Sequence, residues 1–331
     1  MLIDPYNREI NYLRLSVTDR CNFRCRFCMS EKMTFLPRKQ TLDNDEMLQM
    51  VTTFTELGVK HLRITGGEPL IRPRIKELIE SFGQLVANQR LETLSLSTNG
   101  THLPKFAETL AKNHCKRINV SLETLDPEAF KHVSRNGKLH EVLTGIQAAQ
   151  EAGLEVKINS IFLPNTSDDA VMKLINWAAE RNLNVTFIEM MPIGQLDDFK
   201  GDFAHPCVSQ LLQRLKKRLR LTPKTKETNG PSRYHYAEEL GIMLGFITPL
   251  SNNFCHNCNR VRLTCNGHLY PCLGDQGYTD LGQLVKNNAE KADIVQAIHD
   301  TIAHKPKEHH FQVMQFHQSP YIKRHMNVTG G

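Results

Sequence analysis

Between residues 12 and 188 the chain alternates six short β-rich segments with five helical ones, and this alternation constrains its fold more than any other feature. The candidate strands are Tyr12 to Val17, His61 to Thr65, Leu91 to Ser97, Arg117 to Ser121, Leu154 to Ile161 and Asn184 to Ile188. Helical stretches fall between them, near residues 44–57, 74–87, 103–112, 138–152 and 168–181. Gly58, Gly153 and Asn182 stand where helix C-caps belong, and Asp43 or Asn44 can cap the first helix. Strands separated by helices argue for right-handed βαβ units and a parallel sheet. A closed eightfold barrel needs two more units, which leaves an incomplete barrel or an open doubly wound sheet. In both, ligands collect at the C-terminal ends of the strands.

Those ends carry the chemistry. After the first strand come Cys21, Cys25 and Cys28, three thiols within eight residues. No fourth soft ligand is near, since the first histidine is His61. Three cysteines suit an iron-sulfur cluster with one open iron better than a closed four-ligand zinc site, although Asp19 could complete a zinc shell. Thr65-Gly-Gly-Glu-Pro69 follows the second strand, and its paired glycines let backbone approach a neighbour closely. Ser97-Thr-Asn-Gly100, Asn119 with Ser121, Lys157 with Asn159, and Glu189-Met-Met191 mark the remaining ends. Taken singly, each reads as a plain turn or a core polar residue rather than a ligand contact; together they point into one cavity.

Composition narrows the setting. A chain of 331 residues holds one large α/β domain, alone or with a smaller appendage. No apolar run approaches the roughly 20 residues that cross a bilayer, so a cytoplasmic protein is expected, with no membrane partner. Nine cysteines in that compartment read as metal or redox ligands rather than disulfides, with Cys115 and Cys207 isolated as ordinary buried thiols. The net charge of +6 favours an anionic partner. The densest basic run, Arg214 to Lys226, reads as the solvated face of a helix whose Leu211, Leu212, Leu215 and Leu219 form a buried stripe. No aromatics interleave with it, so a single-stranded nucleic acid platform has no support.

The spacing Cys21-x3-Cys25-x-Phe27-Cys28 together with Gly66-Gly67-Glu68-Pro69 resembles the radical S-adenosylmethionine enzymes. That resemblance implies an incomplete parallel (β/α)6 barrel and a 4Fe-4S cluster on the three cysteines. It also implies S-adenosyl-L-methionine on the fourth iron as the source of a 5'-deoxyadenosyl radical.

A second group, Cys255-x2-Cys258, Cys265 and Cys272, surrounds an Asn266-Gly267 hairpin signal. By itself it reads as a zinc ribbon, with His256 or His268 as substitute ligands. Beside the first motif, an auxiliary cluster on three of these cysteines becomes the better reading. Arg260 and Arg262, two residues apart on one strand face, suit an anionic substrate. This segment and the terminal Gly330-Gly331 resemble the GTP 3',8-cyclases of molybdenum cofactor biosynthesis. The resemblance assigns a second 4Fe-4S cluster to Cys255, Cys258 and Cys272 and makes Cys265 surplus. It matches Arg14, Arg63, Ser97, Lys157, Arg260, Val261 and Arg262 to positions that bind GTP, and Phe27, Gly67, Ser121 and Met191 to positions that contact S-adenosylmethionine. No conventional acid or base is implied: the radical takes hydrogen from ribose C3', and the carbon then adds to guanine C8. The diglycine end is implied to be an arm reaching into the active site. Departures from the pattern are Phe27 for tyrosine, Ser97 for threonine, Tyr270 for a basic residue and His256-Asn257 inside the knuckle. Besides GTP, the expected partners are an electron donor, a downstream pterin-forming synthase and, for a homodimer, a second copy of the chain. The expected division is a barrel over residues 1–195 and a C-terminal auxiliary-cluster and GTP-binding extension over 196–331.

Overall fold

In the computed structural model, residues 1–194, 207–225, 229–311 and 322–331 are described. The first repeats form as expected, with boundaries shifted by a residue or two: β1 (Tyr12–Ser16), α1 (Asn44–Glu56), β2 (His61–Thr65), α2 (Ile75–Ala87), β3 (Thr93–Thr98), α3 (Leu103–Lys112) and β4 (Arg117–Ser121). Asp43 is the residue that caps α1, in a reciprocal capping box with Glu46. An additional helix, α4 (Pro127–Ser134), follows β4. Asp126 accepts from Ala129 N and Pro127 opens the helix, a start signal that was present in the sequence. Then come α5 (Leu139–Glu151), β5 (Glu155–Phe162), α6 (Asp168–Ala179) and β6 (Asn184–Glu189).

The C-terminal part adds α7 (Val208–Leu215), β7 (Leu221–Lys224), β8 (Arg233–Ala237), β9 (Ile242–Ile247), β10 (Arg260–Leu263), β11 (His268–Tyr270) and β12 (Thr279–Asp280). It ends with α8 (Leu281–Lys286), α9 (Lys291–Ala303) and α10 (Met326–Thr329). The basic run is therefore not one helix. It leaves α7 at Leu215, turns and enters β7, so Leu219 is buried from the turn while Leu211 and Leu215 are buried from the helix. Lys226 and the 195/196 division lie outside the described residues.

Strands β1 to β6 pair in parallel in chain order, forming the parallel core of an incomplete barrel. The C-terminal part then extends both edges of the same sheet. Strand β9 joins β6 in parallel and β10 joins β1 in parallel, with antiparallel strands beyond each. Among the described residues β12 and β7 remain the sheet's two ends, so the barrel stays open.

Alternation along these strands separates two faces. Leu13, Leu15, Ile64, Leu96, Ile118, Val120 and Ile158 are buried in the apolar core formed with the helices. The opposite face carries Arg14, Arg63, Ser97, Asn119 and Lys157, all of which border a cavity. A parallel barrel usually fills its interior with branched apolar side chains. A polar interior of this kind is built to be filled by something else.

Candidate active site

The cavity has a volume of about 680 Å³, within the roughly 300–1,000 Å³ of small-molecule sites. It is bordered by Cys21, Cys25 and Cys28 and also by Cys255, Cys258 and Cys272. Nine cysteines are free of disulfides. Cys265 does not border the cavity: it lies fully buried in the apolar core, where its carbonyl accepts from Leu42 N at 2.7 Å. The alternative zinc ligands are also elsewhere. His256 is exposed, His268 stacks on Tyr278 with ring centroids 4.0 Å apart, and Asp19 turns its carboxylate to Leu36 N at 2.7 Å. Among the described residues no group of three His, Cys, Asp or Glu side chains is arranged to hold a single metal ion.

The first cysteine loop is held from two sides. Arg24 N and Arg26 N each donate at 3.0 Å, to Ser134 O and Val133 O at the end of α4, and Phe23 meets Phe130 of that helix edge-on. On the other side, Gly67 N donates to Thr18 O at 2.7 Å and Glu68 N to Arg20 O at 2.8 Å. A Cβ on Gly67 would stand 2.2 Å from Arg20 O, and one on Gly66 would stand 2.5 Å from Thr18 O. Both glycines are therefore required by the close approach of two backbones. The carboxylate of Glu68 is wholly buried and accepts from Leu70 N, Thr98 Oγ1 and Asn99 N, which ties the end of β2 to the end of β3. Burial pushes Glu68 up to about 7 against those hydrogen bonds. The sequence reading of this motif stopped at a turn and did not assign Glu68 this role.

Burial sets the thiols as well. It raises Cys21 to about 12, with Glu68 adding to the effect, and raises Cys25 well above the usual thiol range, with Glu123 adding. Burial followed by Cys21 raises Cys28. Burial also raises Cys255 and Cys272. Cys258 differs: burial works against ionisation there, but Arg260 and Lys305 together bring its thiol down to about 6. Metal binding must displace the protons of the other thiols.

Strand register assembles the cationic part of the cavity. Arg14 on β1 lies opposite Arg262 on β10 and opposite Arg63 on β2, so three guanidinium-bearing positions form one row across three parallel strands. The next residue in that row is Ser95, which accepts from Arg63 Nε at 3.1 Å. Asn119 accepts from Arg63 in the amide orientation that satisfies both groups. A second row sets Ser97, Asn119 and Lys157 side by side. Burial, then Arg262 and Arg63, drives Arg14 well below the usual arginine range, and burial, then Arg260, brings Arg262 to about 9. Arg260 packs over Phe254 at 5.0 Å with its guanidinium 4.0 Å from Cys258 Sγ.

Of the other residues singled out in the sequence, Phe27, Gly67, Ser121 and Met191 border the cavity. Val261 does not. It falls on the opposite face of β10 and is buried in the apolar core, so only its backbone is left to meet a ligand. Cys207 is half-buried at the start of α7 rather than buried, whereas Cys115 is fully buried. The sequence reading overlooked Tyr12, Ser95 and Glu123, which also border the cavity; the period of two through Arg14 and Arg63 was the signal for the first two. The C-terminal segment enters as well. Met326 N donates to Cys28 O at 3.1 Å and Asn327 Nδ2 to Asp19 O at 2.7 Å. Arg14 donates to Gly331 O, and Arg262 donates to Gly330 O and Thr329 O.

Several buried polar atoms at this cavity have no hydrogen-bond partner: Arg14 Nε, Thr65 Oγ1, Ser97 Oγ, Glu123 Oε1 and Asn159 Oδ1. Such atoms are costly unless a ligand or water satisfies them. With the thiols, they make a donor set that fits iron-sulfur groups and a polar cofactor.

Residues 15–178 match the radical SAM superfamily, and residues 183–311 match the molybdenum cofactor synthesis C family. A GTP 3',8-cyclase of Sinorhizobium medicae is 46% identical over 330 residues, covering 100% of this chain and 94% of its own. One of Paracoccus denitrificans is 44% identical, covering 100% and 96%. Among solved structures, Streptococcus suis SuiB bound to precursor peptide SuiA superposes with a TM-score of 0.65 at 14% identity, covering 97% of this chain and 76% of SuiB. At that identity the likeness concerns the fold.

Proposed function

The chain belongs to the GTP 3',8-cyclases, radical S-adenosylmethionine enzymes that carry out the first step of molybdenum cofactor biosynthesis, and from that premise we propose how its cavity divides the work. Cys21, Cys25 and Cys28 hold one 4Fe-4S cluster, and Phe27, Gly67, Ser121 and Met191 contact the S-adenosylmethionine beside it. Cys255, Cys258 and Cys272 hold a second 4Fe-4S cluster on the far arm. When bound, these groups supply the radical chemistry that joins ribose C3' of GTP to guanine C8.

The row of Arg262, Arg14 and Arg63 is the observation that carries the reading for the substrate. Neighbouring strands lie only about 4.8 Å apart, so three cations on adjacent strands repel one another unless an anion lies among them. A triphosphate meets that need, and guanidinium groups grip phosphate oxygens in a fixed, bidentate geometry. Ser97 and Lys157, in the adjoining row, extend the grip, and Arg260 holds the guanine end near the second triplet. Val261 serves through its backbone. The carbonyls of Gly330 and Gly331 keep the guanidinium groups of Arg14 and Arg262 turned into the cavity. The protein's share is thus placement and exclusion of water from a reactive intermediate.

We assign residues 1–195 to the barrel and 196–331 to the auxiliary-cluster and GTP-binding extension. An external electron donor and a pterin-forming synthase act with it in the cytoplasm. Nine free cysteines support a reducing compartment, and no helix among the described residues is long and apolar enough to cross a membrane. The test is 5'-deoxyadenosine formation by anaerobically reconstituted, reduced protein with and without GTP. Strong stimulation by GTP is expected, and formation indifferent to GTP would defeat the substrate assignment.

A further inference from the structure

Beside the second cysteine triplet stands a buried cation, Lys305, to which the proposed function gives no part. Lys305 follows α9, with its backbone N–H on Ile302 O at 3.0 Å, and the residue is only 2% exposed. A buried ammonium has three donors to satisfy and a charge that is costly without compensation. Two donors go to backbone carbonyls, Arg260 O at 2.9 Å and Pro271 O. Those carbonyls belong to separate arms of the triplet. Arg260 lies two residues after Cys258, and Pro271 immediately precedes Cys272.

No carboxylate pairs with Lys305 among the described residues. Both carbonyls lie within two residues of a cysteine of the triplet, so the ammonium is held beside the Cys258 and Cys272 arms. The segment that carries it is locked to the remaining arm. Arg8, itself buried, donates to Cys255 O at 2.6 Å, Pro306 O at 2.7 Å and Lys307 O at 2.8 Å, while Asp4 holds its Nε at 2.5 Å. Lys305 is therefore fixed at the junction of all three arms, with its charge held next to the thiols. Reduction potentials of iron-sulfur groups follow net charge and hydrogen bonds at the sulfurs. A fixed cation there favours the reduced state.

We propose that Lys305 is a positioning residue of the auxiliary site, joining the Cys258 and Cys272 arms through the carbonyls of Arg260 and Pro271 and raising the reduction potential of the cluster they hold. The proposal rests on the reading that Cys255, Cys258 and Cys272 hold an iron-sulfur cluster.

The test is a potentiometric titration followed by electron paramagnetic resonance, with iron and sulfide counted in parallel. It uses the full chain with Cys21, Cys25 and Cys28 changed to alanine, so that only the auxiliary cluster contributes. Lys305→Gln keeps a donor and removes the charge, whereas Lys305→Arg keeps both. The glutamine variant is expected to retain its iron and, at a fixed potential, to show a reduced-to-oxidised ratio lower by about tenfold or more, which is about 59 mV for one electron. The arginine variant should stay near the parent. Loss of auxiliary iron from the glutamine variant alone also supports the proposal, because the loaded site then depends on the charge. A glutamine variant with full iron and the parent's potential overturns it, as does equal loss of iron from both variants. Absence of iron from the parent overturns the reading of the site itself, and the proposal with it.

Discussion

Gly67→Ala tests the packing that delivers the first cysteine triplet. The added Cβ would lie 2.2 Å from Arg20 O, 2.6 Å from Arg20 C and 2.9 Å from Asp19 O, all backbone atoms that cannot rotate away. Ordinary contact begins near 3.4 Å, so the two backbones must separate by about 1 Å. That movement gives up the bonds from Gly67 N to Thr18 O and from Glu68 N to Arg20 O. Two hydrogen bonds at about 0.5–1.5 kcal/mol each, with about 1–3 kcal/mol for overpacking, give a loss of about 2–6 kcal/mol. Because Cys21 directly follows Arg20, the first cluster should suffer more than the fold. The assay is iron and sulfide content after anaerobic reconstitution, read beside the melting temperature of the metal-free protein. The expectation is a lower melting temperature and loss of about half the iron, the half retained being the auxiliary share. Gly153→Ala is the control: nothing lies within 4 Å of its added Cβ, and only the strain of φ +76° opposes it. A Gly67→Ala protein with normal melting and full iron would refute the argument.

Arg14→Met should weaken GTP binding by about 10- to 100-fold, the worth of about 1.5–3 kcal/mol for a charged hydrogen-bonding partner, and leave S-adenosylmethionine binding unchanged; calorimetry with each ligand measures it. Glu68 has a folded pKa near 7, raised from an ordinary 4.5, so the folded state holds a proton that the unfolded state has released between those values. Its contribution to stability is therefore intact below pH 4.5 and falls as pH rises towards 7, by on the order of 3 kcal/mol. Urea unfolding of metal-free Glu68→Gln at pH 5 and 7.5 should show a smaller difference than the parent, the remainder coming from Glu123, which burial raises in the same way. Cys265→Ala should keep all its iron, while Cys272→Ala loses the auxiliary share; iron loss from Cys265→Ala would count against the assignment of the second triplet.

Much of the site was legible because its parts are local. The cysteine spacing, the glycine pair and the period of two in Arg260-Val261-Arg262 each lie within a few residues, and strand alternation alone implies that Val261 faces away from its arginine neighbours. Helix α4 was legible too, from Asp126-Pro127, and was overlooked. Glu68 was visible as a residue but not as a tie between strand ends, because its partners Thr98 and Asn99 are 30 and 31 residues away.

The amino-acid sequence alone determined the repeating strand-helix units, their boundaries to within a residue or two and the identity of the thiols, since apolar period, caps and turn residues act through neighbours along the chain. Only the tertiary structure decided that β10 lies beside β1, which sets Arg262 opposite Arg14 across 248 positions of sequence. It likewise decided that Cys265 is buried in the core away from its three companions and that Lys305 reaches two arms of their loop. Pairings of that range depend on which surfaces remain to be buried once the local units have formed, and no stretch of sequence records that by itself.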